Sequence, residues 1–263
     1  MRRMYLLSYP SRFAAKLSTR FRECPGIPRA VFLGILIVLL VFASLKYAAK
    51  VAKPGDTGQQ SRSAFLRWRT MIRDVFTGTN IYIGKNEYPN PPVMALILRP
   101  FAELPPVAGA MAWFYAKVIM AGLAVLWTFR LVEPRGRVPD AARACAILLA
   151  LPALLGDLTH NNVNIFILFL VAACLVLYRR EQDVASGLVL GLAIACKVTP
   201  LLFLGFFVWR RAGRVVAATA IGLVLWLVVV PGAVFGWERN AELLTDWYRL
   251  MVERPVRDHD RTP

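Results

Sequence analysis

Cysteine is sparse and poorly placed for chemistry: Cys24, Cys145, Cys174 and Cys196 are scattered, three of them inside apolar runs, with no CxxC and no Cys/His cluster. That pattern implies neither a disulfide framework nor a metal site, and no cofactor is expected. The apolar runs also lack the period-2 alternation of barrel strands, which excludes a transmembrane β-barrel. An internal repeat between the two halves is missing as well, which weighs against a small-molecule transporter. Acidic residues are half as frequent as basic ones, 16 against 32, for a formal net charge of +16. No RNA- or DNA-binding motif accompanies this excess, and the basic residues are dispersed between apolar runs. The charge therefore serves orientation and contact with anionic lipid, and nucleic acid is not an expected partner.

What the sequence has in abundance is apolar residues, 57% of 263, with a mean hydropathy of +0.52. Six apolar segments stand out: 30–47, 106–129, 144–155, 164–178, 184–209 and 215–235. Only helices or closed barrels satisfy the backbone in lipid, so the fold class is all-α, a polytopic membrane bundle of about five to seven membrane segments. The N-terminal arm carries Arg2, Arg3, Arg12, Lys16, Arg20, Arg22 and Arg29 against the single acid Glu23. It belongs in the cytoplasm, and the first helix is an uncleaved signal-anchor rather than a cleaved leader. The expected location is the cell (inner) membrane, multi-pass, with a basic cytoplasmic arm (1–29), a membrane domain (30–236) containing an outer loop (48–105), and an outer loop with C-terminal tail (237–263).

Segment 184–209 breaks simple alternation. Arg179 and Arg180 precede it and Arg210, Arg211 and Arg214 follow it, and both flanks favour the same side. A re-entrant hairpin turning near CKVTP (196–200) satisfies both; one crossing with a misplaced positive loop is the alternative.

In the outer loop, Phe65, Trp68, Ile72, Val75 and Phe76 recur at helical spacing, with arginines largely on other faces, as in an amphipathic helix at the membrane interface. Gly78 to Tyr82 ends it. The prolines of YPNPP then introduce a short helix, Val93 to Leu98, that dips toward the membrane and leaves at ELPP, with Arg99 at its end. Asp74 reads as a solvated partner of Arg73 or Lys85. Lys117 lies about eleven residues into its segment, roughly 16 Å at 1.5 Å per residue, close to mid-bilayer. Lys197 sits at the hairpin turn. A charge at the bilayer centre costs at least ~2.5 kcal/mol, so each lysine needs an interhelical ion pair, a deprotonated side chain or an anionic ligand, the last favoured for Lys197.

Taken together, the loop after the first helix, the turn GTNIY (78–82), YPNPP with its short helix, GDLTHNNVN (156–164) and GLAIACKVTPLLFLGFFVWRR (191–211) resemble the polyprenol-phosphate-mannose-dependent α-mannosyltransferases of glycosyltransferase family 87, with the GT-C membrane fold. The resemblance runs over most of residues 30–252. It implies inverting transfer of a hexose, typically mannose, from a polyprenyl-phosphate carrier to a lipid or glycan acceptor on the extracytoplasmic face. Such chemistry needs one carboxylate base and cations for the departing phosphate. The position matching the family's base is Asp56, and Asp157 is a second candidate. The resemblance and the charges place Arg62, Tyr88, Arg99 and Lys117 among substrate-binding candidates, with His160, Asn161 and Lys197 beside them. Relative to that family the chain reads as C-terminally truncated, so a partner chain supplying the missing helices, or an inactive scaffold or remnant, stand as alternatives.

Overall fold

The structure is a computed structural model that describes residues 29–53, 61, 63–84, 87–133 and 138–253. Ten helices are used below, and no strand occurs among the described residues. Four are long and apolar enough to cross a membrane: α1 (Arg29–Val51), α4 (Pro106–Val132), α5 (Asp140–His160) and α9 (Gly213–Phe235). The others are α2 (Ala64–Asp74), α3 (Pro92–Ala102), α6 (Asn164–Arg179), α7 (Asp183–Cys196), α8 (Leu201–Trp209) and α10 (Trp237–Tyr248).

The chain turns back on itself at the expected hairpin. A Cβ on Gly187 would lie 2.5 Å from Ala218, and one on Gly191 would lie 2.9 Å from Gly222, so α7 and α9 touch backbone to backbone. Both contacts advance in the same direction along the two helices, which makes α7 and α9 parallel. Helix α8 must therefore carry the chain back to where α7 began. Tyr178, at the end of α6, meets Phe207, near the end of α8, with ring centroids 5.0 Å apart. The basic pairs Arg179–Arg180 and Arg210–Arg211 thus share one end of the bundle. The turn is set locally: Lys197 is extended (φ −159°, ψ 133°), and Pro200 disfavours the helical conformation in the residue before it.

Helix α9 is irregular at Leu225–Val229, where the hydrogen bonds take π spacing. Pro231 explains it, because a proline has no N–H to offer the carbonyl four residues back. That carbonyl, of Leu227, accepts instead from the side-chain amide of Asn240 at 2.9 Å. A buried residue of α10 thereby repairs a defect in α9.

At the end of the bundle opposite the arginine pairs lies a layer formed by α2, α3 and α10. This long-loop face is tied together by Asn80 donating to Asp246 at 2.8 Å and by the Trp247 indole donating to the carbonyl of Pro89 at 3.2 Å. Three expectations change here. The apolar stripe of the amphipathic helix is spent on protein: Phe65, Ile72 and Val75 are fully buried, against α3 and α4 rather than lipid. Arg73 turns to Glu103 on α3, at 3.8 Å, rather than to Asp74. The stretch after Phe235, read as loop and tail, contains α10. Leu243, Trp247 and Leu250, at i, i+4 and i+7, are the sequence signal for that helix.

Candidate functional site

The polar groups of the membrane domain gather where α4, α5, α6 and the α7–α8 turn meet the long-loop face. Helix α5 ends at His160, and Asn161 closes it in the left-handed conformation (φ 56°, ψ 41°), its N–H returning to the carbonyls of Asp157 and Leu158. Asparagine tolerates that conformation better than other residues with a Cβ, so GDLTHNN is a helix stop followed at once by the start of α6.

The Asn161 side chain is fully buried and donates to the Tyr47 hydroxyl at 2.6 Å and the Ala110 carbonyl at 3.1 Å. The Tyr47 hydroxyl lies 2.8 Å from Ser63 Oγ, and Ser61 Oγ accepts from the Ser63 N–H. Asn161 therefore joins α1, α4 and the segment before α2. Its place is within the scaffold. His160, by contrast, is exposed.

Lys117 is completely buried on α4, and its Nζ is 3.1 Å from Asp157 Oδ2 and donates to the Asp157 carbonyl at 2.9 Å. The Asp157 side chain is 7% exposed. Its Oδ2 also accepts, at 3.4 Å, from the N–H of Ile165 in the first turn of α6, where a carboxylate is favoured by the helix dipole. The other oxygen, Oδ1, is buried without a partner among the described residues. Lys117 pairs three residues from the end of α5, because α4 begins more than two turns beyond that level, under α2 and α3. A Cβ on Gly109 would strike the Phe101 carbonyl, so this face of α4 packs closely on α3.

Lys197 sits on the other side of the α6 start. Its Nζ donates to the side-chain oxygen of Asn164, and no described carboxylate pairs with it. It is half-buried at the tip of the hairpin. Tyr88 lies near this tip, fully buried and edge-on to Trp68 with centroids 6.0 Å apart. Burial raises the Tyr88 phenol, with nearby Cys196 adding to the effect and Asn90 opposing it, so the hydroxyl stays protonated. Arg99 lies at the far end of α3, 48% exposed, 3.6 Å from Glu103 and stacked 4.0 Å above the Phe76 ring. The structure thus brings Lys117, Asp157 and Lys197 around the start of α6 and leaves Arg99 apart. Asp56 and Arg62 lie outside the described residues.

Sequence reading missed Asn164 and Asn240, and the partnership of Lys117 with Asp157. Only the first carried a signal, as the last polar residue before an apolar helix.

Fold and site together define a polytopic membrane protein with an ionisable cluster at one end of an apolar bundle. The chain belongs to glycosyltransferase family 87, which matches residues 88–258. It is 30% identical over 178 residues to a polyprenol-phosphate-mannose-dependent alpha-(1-2)-phosphatidylinositol mannoside mannosyltransferase of Mycobacterium tuberculosis, a match covering 62% of this chain and 40% of that protein. A protein of the same description from Mycolicibacterium smegmatis is 27% identical over 172 residues, covering 60% of this chain and 38% of its own length. The match spans about two fifths of those relatives' length. No solved structure matches the chain.

Proposed function

We infer that this chain acts in hexose transfer, taking mannose from a polyprenyl-phosphate carrier and passing it to a lipid-borne acceptor on the extracytoplasmic side of the membrane. The observation that carries the reading, beside family membership, is Lys197: a half-buried ammonium at the tip of a membrane hairpin, held by an amide and by no described carboxylate. An amide oxygen orients a cation without neutralising it, so the charge remains available to a phosphate. In this reading a carboxylate removes the acceptor's hydroxyl proton and the acceptor oxygen attacks the anomeric carbon. The bond from that carbon to the phosphate oxygen breaks with inversion, and Lys197 stabilises the charge left on the phosphate.

Of the two candidate bases, Asp56 suits the role better. Asp157 is already engaged by a buried ammonium and a helix N–H, an arrangement that denies the acceptor access. Asp157 and Lys117 then act as a strut that sets the start of α6, from which Asn164 holds Lys197.

The test is transfer from radiolabelled polyprenyl-phosphate-mannose to phosphatidylinositol mannosides, the acceptor class in the relatives' description, in membranes containing the intact chain. Transfer that is abolished by Asp56→Asn and weakened in donor KM by Lys197→Met is expected. Absence of transfer by an inserted, folded chain, with a longer family member active in parallel, would overturn the reading.

A further inference from the structure

Three arginines converge on one carboxylate where the chain enters α4. Arg73 and Arg99 approach Glu103 through Nε, at 3.8 and 3.6 Å, both beyond hydrogen-bond length. Arg69 donates through Nη2 to the Leu104 carbonyl at 2.8 Å, and its Nε is buried without a partner among the described residues. Three cations face one anion in this cluster, so positive charge is left over. Burial and the field of Arg73 both lower the pKa of Arg69, and Glu103 only partly opposes them.

The forks are held ready for something else. Stacking over Phe76 fixes the plane of the Arg99 guanidinium. Arg73 and Arg99 are about half exposed, and the terminal nitrogens of both make no hydrogen bond among the described residues. A phosphate with two free oxygens matches such forks better than any neutral group.

The surroundings say where the phosphate comes from. The membrane-crossing helix α4 begins at Pro106, immediately after this cluster, and Leu104 and Val107 beside it are each 40% exposed. Charged forks rimmed by apolar side chains at the start of a span stand at headgroup depth. We propose that Arg69, Arg73 and Arg99 form a binding site for the phosphodiester of a membrane lipid on the long-loop face, separate from Lys197. The proposal does not require the transferase reading, since it rests on the cluster alone.

Binding of dioleoyl-phosphatidylglycerol and dioleoyl-phosphatidylcholine to the purified full chain in micelles, followed by native mass spectrometry, tests it. The anionic lipid should be retained in preference. Loss of one charge should weaken it about fivefold, so Arg73→Gln/Arg99→Gln should weaken it roughly 25-fold. Arg67→Gln, which removes an exposed charge from the same helix outside the cluster, should change it far less. Glu103→Gln removes the competing carboxylate and should tighten binding, an outcome that a misfolded variant cannot mimic. Equal retention of phosphatidylglycerol by wild type and both cluster variants overturns the proposal, as does an Arg67→Gln loss equal to that of Arg73→Gln. Displacement of the lipid by millimolar inorganic phosphate would overturn the assignment to a lipid headgroup and mark a site for the free anion.

Discussion

Two lysines, each set in an apolar run with no acid in its own segment, end in opposite circumstances. Lys117 finds Asp157, 40 residues away in sequence, and the pair is sealed inside the protein. Lys197 finds only the amide of Asn164 and stays half-buried at the tip of a hairpin. One charge is consumed by the scaffold and the other is kept. A lone cation in an apolar segment is therefore not by itself a ligand site; what separates the two cases is whether a neighbouring helix delivers a carboxylate at the right level.

The sharpest way to break that contrast is at Asp157. Asp157→Ala leaves a buried ammonium without its counter-charge and should cost about 3–5 kcal/mol. Lys117→Met should do similar damage from the other side, whereas Lys117→Met/Asp157→Leu should recover much of the loss, because two well-packed apolar groups can replace a buried pair. Denaturant unfolding of the detergent-solubilised chain measures all three. If Asp157→Ala unfolds like wild type, the pair is not a strut and Asp157 returns as a candidate base.

Smaller losses should follow at the supports of the hairpin. Gly187→Ala puts a methyl group against the backbone of α9 and should cost about 1–3 kcal/mol by overpacking, loosening the parallel contact that folds α8 back. Asn240→Leu removes the donor from the Leu227 carbonyl that Pro231 leaves unbonded, at a cost of about 1–3 kcal/mol for the stranded acceptor. Pairing that change with Pro231→Ala tests the cause. The double variant should lose less than Asn240→Leu alone, since the alanine N–H can serve the same carbonyl.

Much of this architecture was legible in the residues. Apolar runs give the spans, and the arginines flanking 184–209 give the hairpin, because orientation rules act on local charge. YPNPP gives α3, because proline at a helix start costs no hydrogen bond. The site was less legible for a physical reason: ion pairs between helices depend on relative height, which a count along one helix does not supply. Lys117 could be counted along α4, but its meeting with Asp157 depends on where α5 ends beside it. The amphipathic stripe of α2 looked lipid-facing because burial against protein and burial against lipid demand the same side chains.

The smallest stability change, and the one that completes the comparison, is expected at Lys197. Lys197→Met keeps the length and apolar stem of the side chain and removes a charge whose described partner is one amide. Unfolding should shift by less than about 1 kcal/mol, in the range of a single neutral hydrogen bond. Donor recognition should suffer far more, because a charge-assisted bond to phosphate contributes about 1.5–3 kcal/mol, or roughly 10- to 150-fold in apparent donor affinity. Lys197→Arg offers the complementary control: it keeps the charge on a bulkier fork and should recover part of that affinity if the role is electrostatic. A Lys197→Met chain that unfolds early and binds donor normally would make the two lysines alike after all, both structural, and would move the search for the phosphate's counter-charge to other cations on the same face.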